Sequence, residues 1–170
     1  MSNIETLKNI IENHSEELKY LSSSEIENLQ ALLEDIKDRP KNIWDLETKG
    51  GETYYRLYGV GDIVRETFNT KYDEGARDIG NAFLTREEAE FELERRKIEA
   101  IMKKYSRPFD EDKINYFIEC NHHSNGKTIG INYYYSTDYG TPCFESKEIG
   151  RKVIDEIGED RLWKYWFGVK

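Results

Sequence analysis

The sequence predicts an α+β fold: an N-terminal antiparallel helical hairpin followed by two β-β-β-α units that pack sheets against helices. Two observations carry this. Apolar residues in the first forty positions recur at helical spacing and then stop at Pro40. Further on, a phrase occurs twice. Gly80-Asn81-Ala82-Phe83-Leu84-Thr85-Arg86-Glu87-Glu88 is echoed 61 positions later by Thr141-Pro142-Cys143-Phe144-Glu145-Ser146-Lys147-Glu148-Ile149. Phe83 answers Phe144, Thr85 answers Ser146, and Glu87 answers Glu148. Each copy reads as a short strand running into a capped helix.

The hairpin occupies residues 1–40. Ile4, Leu7, Ile11, His14, Leu18 and Leu21 draw one stripe at 3-4 spacing. Ser22-Ser23-Ser24 interrupts it, and Ser24 with Glu27 gives the S-x-x-E spacing of a capping box. The second stripe is Ile26, Leu29, Leu33 and Ile36, and Pro40 marks the exit. His14 reads as a packing histidine on its stripe. A hairpin with one apolar seam must cover it, on the body of the protein or on a second copy. Pairing of two copies would make a four-helix bundle, so these stripe residues are the candidate oligomerisation surface, with a dimer expected. Residues 1–38 carry three Lys and nine Asp or Glu, a net of −6 within a total of −9.

The body, residues 41–170, divides near 43–107 and 113–170. In the first part Gly50-Gly51 is a turn signal, and Thr53 to Tyr58 is rich in β-favouring types. Gly59-Val60-Gly61-Asp62 turns the chain, and Ile63 to Phe68 returns. Residues 69–79 read as polar loop. Ala82-Phe83-Leu84 is a third strand, and Thr85 with Glu88 opens a helix to about Tyr105. In the second part Asn115 to Cys120 is a strand, Asn121 to Gly126 a polar turn and Lys127 to Tyr135 the returning strand. Cys143-Phe144-Glu145 is the short third strand. Ser146 caps a helix to Ile157 with Ile149, Val153 and Ile157 on its buried face, and Gly158 stops it. Glu159 to Phe167 reads as a last short helix.

Composition limits the function. Charged residues make up 35% of 170 positions and the balance is acidic, which argues against generic binding to a phosphate backbone. Two cysteines are too few for a disulfide framework, so a reducing cytoplasm is expected. The N-terminus lacks a signal-peptide pattern, and no apolar run approaches the ~20 residues of a membrane span.

Chemistry-bearing motifs are sparse. G-x-S-x-G, H-E-x-x-H, the P-loop and G-x-G-x-x-G patterns are all missing from the sequence. Cys120-x-His122-His123 with Cys143 has the residue types of a zinc site, but its spacing matches no common module. A strand end with a polar turn is the preferred reading, and no metal or cofactor is expected. Nothing in the sequence brings Cys143 to a histidine and an orienting carboxylate, as a nucleophile would need. Carboxylates along residues 87–94 read as a solvated helix face. Tyr133, Tyr134, Tyr135 and Tyr139 are the better binding candidates, because tyrosine is favoured at interfaces and can stack a base. Arg56, Arg65, Arg77 and Asn81 are the polar residues proposed for a ligand pocket, with Arg65, Arg77 or Lys71 available for phosphate.

Gly51-Glu52-Thr53-Tyr54-Tyr55, Gly61-Asp62-Ile63-Val64 and Gly80-Asn81-Ala82-Phe83-Leu84-Thr85-Arg86-Glu87-Glu88-Ala89-Glu90 follow the outline G-x-x-Y-Y, G-x-V, G-N-x-F-x-T-x-E-E-A-E, with one residue more between Gly61 and Val64 than its middle element has. This resembles a largely uncharacterised family of small proteins encoded by phages and prophages of low-GC Gram-positive bacteria. The tail Gly158 to Val169 is similar as well. The resemblance covers about residues 44–170. Phe68 stands where such proteins often carry Trp, and Ala76 where they carry Arg, with Arg77 next to it. The resemblance implies a phage origin. With the acidic charge and the lack of catalytic motifs, it leads to a first expectation. The chain is a non-enzymatic protein that binds a host defence component and occludes it, as anti-CRISPR proteins do. A sponge for a nucleotide immune signal and a nucleic-acid-associated phage regulator are the alternatives.

Overall fold

The computed structural model describes residues 40–123, 126–135 and 141–169, with Ser22, Ser24, Glu25 and Asn28 upstream. It is a mixed α+β structure with two small antiparallel sheets. The stripe residues of the expected hairpin, His14 and Tyr139 lie outside the described residues, as do the side chains of His122 and His123. The helix cap expected at Ser24 lies two residues earlier. Ser24 is already helical, and the cap is Ser22, whose N–H and Oγ each donate to Glu25 Oε2 at 2.7 Å. Ser22-x-x-Glu25 has the same spacing as the Ser24–Glu27 pair, so spacing alone does not choose between them.

Strands β1 (Thr53–Leu57) and β2 (Ile63–Thr67) form a hairpin around the expected glycine turn, and β3 (Ala82–Phe83) adds on the far side of β1. Residues 69–79 are not a loop. Helix α1 spans Lys71–Asp78 and is inserted between β2 and β3. Its start is fixed by Asp73, whose Oδ2 accepts from the N–H of Asn69 (3.0 Å), the N–H of Thr70 (2.8 Å) and Thr70 Oγ1 (2.7 Å). Its end is fixed by Gly80, which adopts φ 72° so that the N–H groups of Gly80 and Asn81 return to Arg77 O and Ala76 O. Few apolar residues mark this helix, which is why its sequence looks like loop.

Helix α2 (Arg86–Tyr105) begins at Thr85 as expected: Thr85 Oγ1 accepts from Glu88 N, and Glu88 Oε2 accepts from Thr85 N, each at 3.2 Å. Its exposed side is laced by pairs such as Arg86–Glu90 and Lys103–Glu99, each contributing about 0.2–0.5 kcal/mol. Its first half lies over the three-stranded sheet, with Ala89 fully buried. Its second half supplies Ile98 and Met102 to the core of the second sheet.

That sheet is the hairpin of β4 (Asn115–His123) and β5 (Gly126–Tyr134). The strands run further than expected, since Asn121, His122 and His123 pair with Thr128, Lys127 and Gly126. The polar types there are compatible with strand because one sheet face is open to solvent. Residues 143–144 form bridges rather than a full strand: Cys143 to Arg107, and Phe144 to Tyr116. Tyr116–Phe144 lies 61 positions after the Tyr55–Phe83 pair of the first sheet. Helix α3 (Lys147–Ile157) follows, capped by Ser146 Oγ accepting from Ile149 N at 3.3 Å and stopped at Gly158 with φ 89°. The last segment is a short turn, Glu159–Arg161, continued as a π-helical turn over Leu162–Trp166. It is tied back to α2 by Arg161–Glu94 at 2.9 Å and by Phe91 against Tyr165.

Two apolar clusters result. Leu46, Tyr54, Phe68, Ala76 and Ala82 fill the space between the first sheet and α1. The larger cluster joins Ile98 and Met102 of α2, Ile129 and Phe144 of the second sheet, and Val153 and Ile154 of α3.

Candidate binding surfaces

A cluster of exposed aromatic residues lies at the end of β5. Tyr133 is 52% exposed, Tyr134 44% and Tyr135 69%. Alternation along the strand sends Tyr133 and Tyr134 to opposite faces. Tyr133 meets Tyr116 and Tyr135 edge-on, both at 6.3 Å between ring centres. Tyr134 covers Phe117 and donates its hydroxyl to Glu119 Oε2 at 2.8 Å. Asn121 and Asn132 also donate to Glu119. Burial works to raise the Glu119 carboxyl, but these bonds outweigh it and hold its pKa below the usual value.

The backbone there follows from parity. Tyr116 exchanges both of its hydrogen bonds with Phe144, at 3.2 and 2.8 Å. Its register with Tyr133 is therefore a non-hydrogen-bonded pair of the β4–β5 ladder. The N–H and C=O of Tyr133, like those of Ile131 and Ile129, consequently point away from β4. Tyr133 N–H reaches the neighbouring Asn132 Oδ1 at 2.9 Å. Among the described residues, β5 has no strand on its outer side.

A second surface is a groove of about 680 Å³ along the first half of α2. Ile43, Trp44, Phe83 and Phe91 give it an apolar floor, and Arg77 stands at one side. Trp44 is 61% exposed. It sits in a short 3-10 turn, Ile43–Asp45, capped by Asn42. The Arg77 guanidinium lies between the Trp44 and Phe68 rings, at 5.1 and 5.4 Å from their centres, and donates to Leu46 O at 3.2 Å. It is a clamp between α1 and the chain entering β1.

The third group was missed by sequence reasoning. Tyr54, fully buried, donates its hydroxyl to Asp73 Oδ1 at 2.7 Å and also lies 3.0 Å from Glu66 Oε2. Tyr58 donates to Glu66 Oε1, and Arg56 approaches Glu66 at 3.5 Å. Burial, then Asp73 and Glu66, push the Tyr54 hydroxyl far above its ordinary pKa. Burial works to raise the Asp73 carboxyl too, but bonds from Tyr54, Thr70 and the backbone hold it below its ordinary value. The locked geometry ties α1 to the first sheet. The available signal was Thr70-x-x-Asp73, a cap spacing with Asp in place of Glu.

The four residues proposed for one ligand pocket do not converge. Arg56 and Arg65 lie on opposite faces of the first sheet, because Arg65 is paired with Tyr55. Arg65 is exposed and donates to Thr53 Oγ1 at 3.3 Å. Asn81 Oδ1 accepts from Arg96 at 2.6 Å. Only Arg77 lines the groove, and Lys71 opens α1 on an exposed turn. Cys143 is buried, donates to Arg107 O at 3.1 Å, and has its pKa raised by burial. Among the described residues, no three His, Cys, Asp or Glu side chains converge as a metal would require. No described helix is long and apolar enough to cross a membrane. No family model, curated protein or solved structure matches the chain.

Proposed function

We propose that this chain is a phage-encoded, non-enzymatic binding protein that inhibits a host antiviral defence component by covering it. The carrying observation is the tyrosine end of β5: three exposed rings beside a strand edge with no described neighbour. Rigid aromatic rings are the anchors from which protein interfaces gain most of their affinity. An open edge supplies main-chain hydrogen bonds to an extended partner segment. An acidic chain suits a partner whose own site is positively charged. The prophage resemblance adds the host, a Gram-positive cytoplasm. On this reading the scaffold is a duplicated strand-strand-strand-helix unit, residues 43–107 and 113–170, with α1 inserted in the first copy. The apolar stripes of the N-terminal segment are the candidate surface for pairing two copies.

A nucleotide sponge is less favoured by the groove. Lys41 and Arg77 face three carboxylates there, Glu87, Glu88 and Glu92. The lining therefore offers no excess of cationic side chains to hold a phosphate.

The test is co-purification from the natural host with wild-type protein and a Tyr133→Ala/Tyr135→Ala variant. Mass spectrometry of proteins and of bound nucleotides reads the result. Retention of a defence effector by wild type and its loss in the variant supports the reading. Equal retention by both, or a nucleotide in place of a protein, overturns it.

A further inference from the structure

On one side each sheet ends in the return strand of its hairpin, β2 in the first sheet and β5 in the second. The two edges differ. Strand β2 is five residues long and carries Arg65 and Glu66. Strand β5 is nine residues long, and residues 128–135 hold no charge. Short length and charge are how edge strands avoid pairing with other chains. β2 has both, and β5 has neither. Ile129 and Ile131 direct their N–H and C=O groups outward, and no other described element bonds them.

A second copy of β5 fits this edge. Turned antiparallel about Asn132, it sets Ile131 opposite Tyr133 of the other copy, Gly130 opposite Tyr134 and Ile129 opposite Tyr135. The parity suits this register. Odd positions carry the outward groups, so Ile131 and Tyr133 make hydrogen-bonded pairs, and Asn132 meets Asn132 in a non-hydrogen-bonded one. Rings then lie against β-branched side chains across the strands, and Tyr134 fills the space beside a glycine. The rings are 52%, 44% and 69% exposed. At ~200 Å² for a whole side chain they offer about 330 Å² per copy. Two copies thus supply roughly half of the ~1,200 Å² that specific interfaces bury, before the strand backbone is counted. Charge points the same way. A chain of net charge −9 meets its own copy with least repulsion where the contact is neutral.

We infer that the free protein pairs with a second copy through β5, antiparallel about Asn132, joining the two-stranded sheets of both copies into one. The pairing concerns the free protein and stands whether or not a host component binds. A host segment adding to the same edge would displace the second copy. The surface is distinct from the N-terminal stripes.

Cysteine cross-linking in the full chain tests the register. The Cβ atoms of a non-hydrogen-bonded pair come close enough for a disulfide, so Asn132→Cys should link two copies under mild oxidation. Thr128→Cys lies on the same sheet face but is displaced along the strand, and should link at least about tenfold less. Pairing through the N-terminal stripes alone gives no such preference for position 132. Amide hydrogen exchange reads the unaltered protein. Gly130 and Asn132 are held by β4, and pairing should protect Ile131 and Tyr133 as well. A monomeric free protein, no disulfide at position 132, equal linking of the two variants, or unprotected Ile131 and Tyr133 amides would each overturn the inference. None of these measurements involves a host component, so failure here and failure of the host reading are separate results.

Discussion

Phe83 and Phe144 make the same kind of bridge, to Tyr55 and to Tyr116, yet only Phe144 is sealed in a core. The second half fills the position beside the bridge with helix α2, while the first half leaves a groove there. The halves also differ in how they hold their chain entries. The first uses the Tyr54–Asp73–Glu66 cluster to fasten the inserted helix α1. The second uses Asn115, fully buried, which accepts from Arg107 Nη1 and Asp110 N and donates to Asp110 O and Lys113 O. Tyr54 and Asn115 are 61 positions apart. Similar backbones thus tolerate different buried polar groups, provided each finds its partners.

Substitutions at matched positions break or sharpen this comparison. Phe144→Ala should cost about 3–5 kcal/mol, and Phe83→Ala about 1–2 kcal/mol, by denaturant unfolding. Equal costs would remove the contrast between the halves. Next in size, Asn115→Ala should cost about 2–3 kcal/mol by stranding several backbone groups, against about 1 kcal/mol for Tyr54→Phe.

The Asp73 cluster makes the first half sensitive to pH. A carboxyl held below its ordinary value of 3.8 contributes stability that is present above that pH and lost as pH falls through its folded value. The destabilisation caused by Asp73→Asn should therefore be full at pH 7 and shrink below about pH 4, read as the difference in Tm. Tyr54 works in the opposite sense. Its raised pKa gives a contribution complete below pH 10 and lost as pH rises above it. A Tm difference between wild type and Tyr54→Phe that stays flat from pH 8 to 11 would contradict this.

Gly150→Ala should change stability least, within about 1 kcal/mol. Alanine gains about 1 kcal/mol of helix propensity, but its Cβ would lie 3.1 Å from the Ile131 side chain. The first half already carries Ala89 at the matching place, fully buried.

The capped helices and the glycine stops were legible because their signals are local: Thr85 with Glu88, Ser146, and Gly158. Helix α1 was not, because its face is made by Ala76 and by the charged Asp73, whose burial depends on Tyr54 from a distant strand. The exposed tyrosines were legible as strand residues of alternating direction. The groove was not, since Trp44, Arg77, Phe83 and Phe91 come from four separate segments. The proposed Arg pocket failed for the same reason: charge in sequence does not say which sheet face or partner will take it.

The central claim is that the tyrosine end of β5 holds a host protein. The most direct measurement is quantitative capture from host lysate by wild type and by the Tyr133→Ala/Tyr135→Ala variant, with unfolding curves of both. The account predicts stabilities within about 1 kcal/mol and loss of one defence effector from the variant. Unchanged capture by an equally stable variant would contradict it.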